Sequence, residues 1–185
     1  MRLFVALAIS QELRESLASL IQTLRQADSA PRWVNPANLH LTLKFIGEVP
    51  TERLTPITEA LVAVRGGQRL VLQLRGLGFF PNARRPTVAW VGLEPAEPLA
   101  ELAEKIDRKL AAVGVQREDR PFVPHLTVGR FKQTRVSRAL AEQIEKQQNR
   151  TLGSVSANEF HLIESKLKSS GAEYTTLRSF PFMDR

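Results

Sequence analysis

Hydrophobic positions along this chain switch between strand and helix periods, and the switches lay out the elements. Residues 2–9 are predicted as a strand, carried by the apolar run Leu3 to Ile9. After it, Leu13, Leu17, Leu20, Ile21 and Leu24 recur at helical spacing, with Ser10 as the predicted N-cap. A turn at Asn35-Pro36 precedes a strand over 39–48. Pro50-Thr51 then opens a helix to residue 64 that buries Leu54, Ile57 and Leu61 and stops at Gly66-Gly67. Strands over 70–79 and 87–93 flank the turn Pro81-Asn82-Ala83-Arg84-Arg85-Pro86, whose two arginines read as a solvated hairpin tip. A third helix starts at Pro98, turns Leu99, Leu102, Ile106, Leu110 and Val113 inward, and ends at Gly114. Polar residues 116–120 lead through Pro121-Phe122-Val123-Pro124 into a strand headed by His125, where Pro124 favours extended chain at Val123. A helix over 136–147 with Leu140 and Ile144 inward follows, then strands over 154–166 and 174–181 joined by Lys168-Ser169-Ser170-Gly171.

The order strand with histidine, helix, strand, turn, strand occurs twice, offset by about 85 residues from His40 to His125. That offset is too long for a solenoid unit and suits two pseudo-equivalent lobes. Helices interleaved with hairpin-type strands predict an α+β fold with mainly antiparallel sheets, in one bilobal domain over 1–185.

Composition narrows the classes. A chain of 185 residues buries roughly 70% of its unfolded surface. With 43% hydrophobic and 24% charged residues, neither disorder nor a membrane protein is expected. No stretch approaches the roughly 18 apolar residues of a spanning helix, and the opening run reads as a strand, not a secretory leader. The absence of cysteine excludes a disulfide, a thiolate metal site and a cysteine nucleophile, and fits a reducing cytoplasm. A net charge of +7, carried mainly by arginine and spread without a basic tail, favours a polyanionic partner whose site is assembled by folding. Gly-rich phosphate loops of the Walker or Rossmann type are absent.

The chemistry concentrates in one repeated tripeptide. His40-Leu41-Thr42 and His125-Leu126-Thr127 take in two of the three histidines. A strand directs residues i and i+2 to the same face, so each copy presents an imidazole beside a hydroxyl. Two such pairs facing each other form a site for a phosphoryl group flanked by an acid and a base. Imidazole, with an ordinary pKa near 6.5, serves either role at neutral pH. The hydroxyls of Thr42 and Thr127 suit the two non-bridging oxygens. Lys44 and Arg130 are candidates for added positive charge. A metal is not expected, because no third ligand recurs with the two imidazoles. Trp33, Phe45 and Phe122 lie near the motifs and are candidates to stack on a base, with packing as the competing role. His161, among Phe160, Leu162 and Ile163, reads as part of a core strand.

The segments Asn38-Leu39-His40-Leu41-Thr42-Leu43-Lys44-Phe45-Ile46-Gly47-Glu48 and Arg120-Pro121-Phe122-Val123-Pro124-His125-Leu126-Thr127-Val128-Gly129-Arg130 closely resemble the two-histidine phosphoesterase superfamily. Within it they are similar to the RNA 2′,3′-cyclic phosphodiesterase branch, historically called 2′-5′ RNA ligase, and the similarity spans nearly the whole chain. The resemblance implies two pseudo-symmetric lobes, each a mainly antiparallel sheet with flanking helices, around a central cleft with no metal or other cofactor. It implies hydrolysis of an RNA terminal 2′,3′-cyclic phosphate to a 2′-phosphomonoester, with His40 as proton donor to the O3′ leaving group and His125 as proton acceptor from water. It favours Arg130 over Lys44 as the phosphate-binding cation. An RNA 5′-hydroxyl in place of water would give a 2′-5′ linkage, so tRNA half-molecules are expected partners as well. Related cyclic nucleotides, ADP-ribose 1″,2″-cyclic phosphate and 2′-5′ oligonucleotides remain alternative substrates. A scaffold that has lost chemistry is disfavoured by the intact histidines and threonines. The expected state is a cytoplasmic monomer with no membrane association.

Overall fold

The computed structural model describes residues 1–64, 68–132, 135–169 and 171–182. In chain order its elements are β1 Arg2–Leu7, α1 Gln11–Ala27, β2 Arg32–Trp33, β3 Leu41–Glu48, α2 Leu54–Val62, β4 Leu70–Phe80 and β5 Val88–Glu94. They continue with α3 Glu97–Ala111, β6 His125–Arg130, α4 Arg138–Glu145, β7 Thr151–Ala157, β8 Glu159–Lys168 and β9 Gly171–Pro181. Ser10 and Ser137 cap α1 and α4 by accepting from the backbone N–H of Leu13 and Leu140. The Gly66-Gly67 stop lies outside the described residues, as does Ser170 in the last turn.

The strands form two antiparallel sheets, ordered β3-β1-β8-β9 and β2-β6-β5-β4-β7. Each is backed by helices on one face: α2 and α3 pack on the first, α1 and α4 on the second. The inward side chains of α1 (Leu13, Leu17, Ile21, Leu24) and of β6 (Leu126, Val128) belong to the same buried cluster. Each such Leu contributes about 1.5–3 kcal/mol by leaving water. This helix-backed burial leaves the opposite sheet faces for function.

The two halves of the chain are exchanged between the sheets. The β4-β5 hairpin, which follows the first histidine strand, pairs with β6 of the second motif. The β8-β9 hairpin, which follows the second, pairs through β1 with β3. One sequence expectation fails here. The single strand predicted over 154–166 is two strands, β7 in the second sheet and β8 in the first, with Asn158 between them. Its carbonyl accepts from the Phe182 N–H at 2.6 Å. Without a Gly or Pro at the crossing, the apolar alternation runs straight through and hides it.

Candidate active site

The sheets approach each other edge to edge. β3 is an edge strand, and β6 is flanked on its outer side only by the short β2; β3 and β6 lie alongside one another. The chain itself ties the two edges together, since β2 lies on β6 and the next strand it enters is β3. His40 and His125 therefore stand at the starts of neighbouring strands from different sheets.

Ladder register shows which side chains share the exposed face. In the first sheet Thr42 pairs with Ala6 but Lys44 pairs with Val5, so β3 carries one extra residue. In the second, Thr127 pairs with Trp90 but Gly129 with Ala89, so β6 carries one extra residue at the equivalent place. A bulge shifts every later side chain by one position relative to simple alternation. Phe45 thereby joins Thr42 on the cleft face, opposite Phe4. Arg130 likewise joins His125 and Thr127, opposite Val88. Simple alternation would have put Arg130 on the other side.

The same bulge removes Lys44 from the candidate list. Its side chain is 3% exposed and turns toward α3, where Nζ contacts Asp107 Oδ1 at 2.8 Å and Glu118 Oε1 at 3.2 Å and donates to the Gln116 carbonyl at 2.7 Å. Burial alone would raise the Asp107 pKa, but hydrogen bonds from Lys44, Arg117 and the Glu118 N–H outweigh it and hold the carboxyl below its ordinary value.

Both imidazoles are oriented by one device. His40 Nδ1 lies 2.7 Å from the Asn38 carbonyl, and His125 Nδ1 lies 2.7 Å from the Val123 carbonyl. A carbonyl only accepts, so each Nδ1 carries the hydrogen and each Nε2 is the nitrogen that takes up or releases a proton. Each ring also rests against aromatic neighbours. Phe4 is 4.7 Å and Tyr174 5.1 Å from His40, the latter edge-on; Phe80 is 4.9 Å from His125, edge-on, and 5.2 Å from Trp90.

Burial depresses both pKa values. The carbonyl hydrogen bonds oppose this, and the Arg130 charge lowers both further, with Arg14 also acting on His40. The charge of one guanidinium thus acts on both rings. Arg32 stands directly opposite Arg130 in the β2-β6 ladder, like charges whose juxtaposition costs free energy until an anion lies near them.

The other candidates divide between the two faces. Trp33 packs against Gly129 on the helix-backed face, where a Cβ on that glycine would meet the indole at 2.8 Å, and its Nε1 donates to the Asp28 carbonyl at 2.9 Å. Phe122 packs against the main core. Trp33 is thereby turned away from the histidines, and both rings hold the segment before each motif against the core. Phe45 is 53% exposed and 6.2 Å from Phe4. Arg84 and Arg85 are exposed beside Asn82, whose Oδ1 accepts both their backbone N–H groups. His161 is not a core residue: it pairs with Ala6 on the Thr42 side of the first sheet, 2.9 Å from Ser179 Oγ. The buried residues of that strand are its neighbours Phe160 and Leu162.

Sequence reasoning missed Phe4, Tyr174, Phe80, Arg14 and Arg32, which reach the site only through strand pairing and a long side chain. The orienting carbonyls had a local signal, since Asn38 and Val123 each precede their histidine by two. Among the described residues, no helix is long and apolar enough to cross a membrane, and no three His, Cys, Asp or Glu side chains cluster as metal ligands.

A family model, the 2′-5′ RNA ligase superfamily, matches residues 13–168. A relative from Methanothermobacter thermautotrophicus, named RNA 2′,3′-cyclic phosphodiesterase, is 37% identical over 180 residues, covering 97% of each chain. A relative of the same name from Archaeoglobus fulgidus is also 37% identical, over 97% of this chain and 99% of its own. TT0787 of Thermus thermophilus superimposes with a TM-score of 0.81 at 32% identity over 98% of each chain. E. coli LigT complexed with 3′-AMP does so with 0.79 at 28% identity over 97% of each. Paired His-x-Thr strands on two meeting sheets, with these matches along nearly the whole length, show that the chain belongs to the 2′-5′ RNA ligase superfamily of two-histidine phosphoesterases.

Proposed function

We propose that this protein is an RNA 2′,3′-cyclic phosphodiesterase that opens the cyclic phosphate by metal-independent acid–base catalysis between His40 and His125. The observation that carries the reading is the matched pair of imidazoles, each with Nδ1–H spent on its own carbonyl and Nε2 left for chemistry beside a threonine. The names of the relatives support the substrate class, and LigT's complex with 3′-AMP supports a nucleoside phosphate in the cleft.

In this mechanism His125 Nε2 takes a proton from water as the water oxygen bonds to phosphorus. The P–O3′ bond breaks on the opposite side, and O3′ receives the proton of His40 Nε2, leaving a 2′-phosphomonoester and a free 3′-hydroxyl. Each proton transfer contributes roughly 10²–10⁴-fold. Thr42 and Thr127 donate to the non-bridging oxygens, and Arg130 offsets the charge that grows on them. Burial and the Arg130 charge disfavour the protonated form of both rings in the free protein; the arriving phosphate anion offsets the guanidinium and lets His40 hold its proton. Phe45, exposed on the His40 side, is the surface on which a base stacks. An RNA 5′-hydroxyl entering where water does gives the 2′-5′ linkage, the minor reaction of the same site.

The test incubates an RNA oligonucleotide ending in a 2′,3′-cyclic phosphate with the protein in excess EDTA and locates the product phosphate. A 2′-phosphate formed in EDTA, and lost in Thr42→Val/Thr127→Val, is expected. A 3′-phosphate, or turnover only when a divalent ion is restored, would overturn the mechanism.

A further inference from the structure

We propose that Arg14 and Asn38, outside the His-x-Thr strands, are positioning residues that clamp the 36–39 turn so that the Asn38 carbonyl is held against His40 Nδ1. The inference rests on the reading of His40 as the proton donor. Arg14 reaches across from α1, and its Nη1 donates to the carbonyls of Pro36 at 2.7 Å, Ala37 at 2.9 Å and Leu39 at 3.3 Å. The one carbonyl it leaves out, that of Asn38, is the one that accepts from His40. From the other side, Asn38 Nδ2 donates to the Ala172 carbonyl in β9 at 2.8 Å. Tyr174, two residues further on in the same strand, stands edge-on to the His40 ring.

The turn is thus gripped from a helix and from a strand, and the carbonyl between the grips sets the ring. All three contacts come from Nη1, whose two N–H bonds are held in the guanidinium plane at the end of a long side chain; a lysine ammonium keeps the charge on a shorter stem and lacks that fixed plane. The second half-site needs no equivalent. Val123, whose carbonyl orients His125, sits between Phe122, packed on the core, and Pro124, and Pro121 stiffens the approach. The first half-site's approach is a three-residue 3₁₀ turn over Pro36–Asn38 with no buried residue of its own, and the chain meets the core only at Leu39, after the orienting carbonyl.

The test compares Arg14→Met, Arg14→Lys and Asn38→Ala by nitrogen NMR of the histidine rings and by steady-state kinetics on the RNA 2′,3′-cyclic phosphate. In the parent protein His40 shows the single Nδ1–H tautomer, its resonance assigned by its loss in His40→Gln. Arg14→Met is expected to mix the tautomers of His40 and not of His125, and to lower kcat roughly 10–100-fold with KM within about threefold of the parent. Charge and geometry then separate. The groups that face His40 are Arg14 from α1, Arg130 from β6, Tyr174 from β9 and the apolar Phe4 from β1. Arg14→Lys keeps the charge and leaves the His40 limb of the pH profile in place while losing kcat. Arg14→Met loses kcat and moves that limb upward.

An unmixed tautomer with unchanged kcat in both Arg14→Met and Asn38→Ala overturns the proposal. A rise in KM alone also overturns it, by making Arg14 a substrate ligand. If Arg14→Met does not fold, Arg14→Lys and Asn38→Ala carry the same two readouts. The tautomer measurement needs no turnover, so failure of the clamp is distinct from failure of the proposed reaction.

Discussion

The half-sites around His40 and His125 share a skeleton and differ in what hangs from it. Each has an imidazole oriented by the carbonyl two residues before it, a threonine two residues after, and a strand bulge just beyond. At the next cleft-facing position they part: Phe45 on one side, Arg130 on the other. Beneath the strands they part again, with Lys44 reaching to Asp107 where its counterpart Gly129 makes room for Trp33. The symmetric part matches what in-line displacement requires, one proton carrier on each side of phosphorus. The asymmetric part suits the proposed reaction, which has a nucleoside on one side of phosphorus and water on the other. Chemistry constrains the shared skeleton, and ligand shape constrains the divergence.

The most severe way to break the symmetry is to remove one ring at a time. His40→Ala and His125→Ala are each expected to lower kcat/KM by about 10²–10⁴-fold on the cyclic phosphate. Similar losses alone would leave the roles undivided. An aryl ester of a nucleoside phosphate separates them, because a phenolate departs without a proton. On that substrate His40→Ala is expected to recover most of its activity and His125→Ala none. Recovery by His125→Ala instead would exchange the acid and the base.

The shared skeleton could be read from the sequence because it is written locally. The pairs His40/Thr42 and His125/Thr127 sit at strand spacing, Ser10 caps a helix as its neighbours predict, and the apolar stripes read for α1 and α3 become buried except at Leu20 and Val113, which are half-buried against the core. The divergence could not. Whether Lys44 or Arg130 faces the cleft depends on one extra residue in each ladder, and a bulge has no side-chain signature in Leu43 or Val128, both ordinary core residues. Phe4 meets His40 only because β1 pairs with β3, and Asn158 marks a change of sheet with no break in the pattern. Side chains brought in by pairing across sequence distances such as the 134 residues between Asn38 and Ala172 leave no periodicity to find.

A milder perturbation tests whether the third residues are specialised. Arg130→Gln is expected to lower kcat/KM about 10-fold or more, the weight of a charge-assisted contact to phosphate. It also removes a positive charge that disfavours both imidazolium forms. Both limbs of the kcat/KM profile should therefore move to higher pH, since this profile reports the free protein, as macroscopic values of the coupled pair. Phe45→Ala has no charge to remove and should leave both limbs in place, raising KM for a base-bearing substrate. A change in only one limb for Arg130→Gln would mean that the guanidinium serves one half-site alone.

The smallest effects on catalysis, and the clearest on stability, come from the layer beneath the strands. Lys44→Met leaves Asp107 buried with only Arg117 and the Glu118 N–H as partners, and removing one member of a buried pair costs roughly 3–5 kcal/mol. Gly129→Ala places a methyl 2.8 Å from Trp33 Cε3, on a ring tethered at its far end to Asp28, and overpacking of that kind costs about 1–3 kcal/mol. Neither side chain faces the phosphate site, so kcat should stay within a few-fold in both. Acid separates the two. The folded pKa of Asp107 lies below its unfolded value, so the carboxylate contributes stability above the unfolded pKa and loses it as pH falls through the folded one. Lys44→Met removes part of what depresses that pKa, so its stability deficit against the parent should shrink as the medium is acidified through the carboxylate range. The deficit of Gly129→Ala is steric and should not change with pH. Denaturant midpoints at neutral and acidic pH read this difference, and parallel deficits in the two variants would mean that Lys44 supports β3 by packing alone.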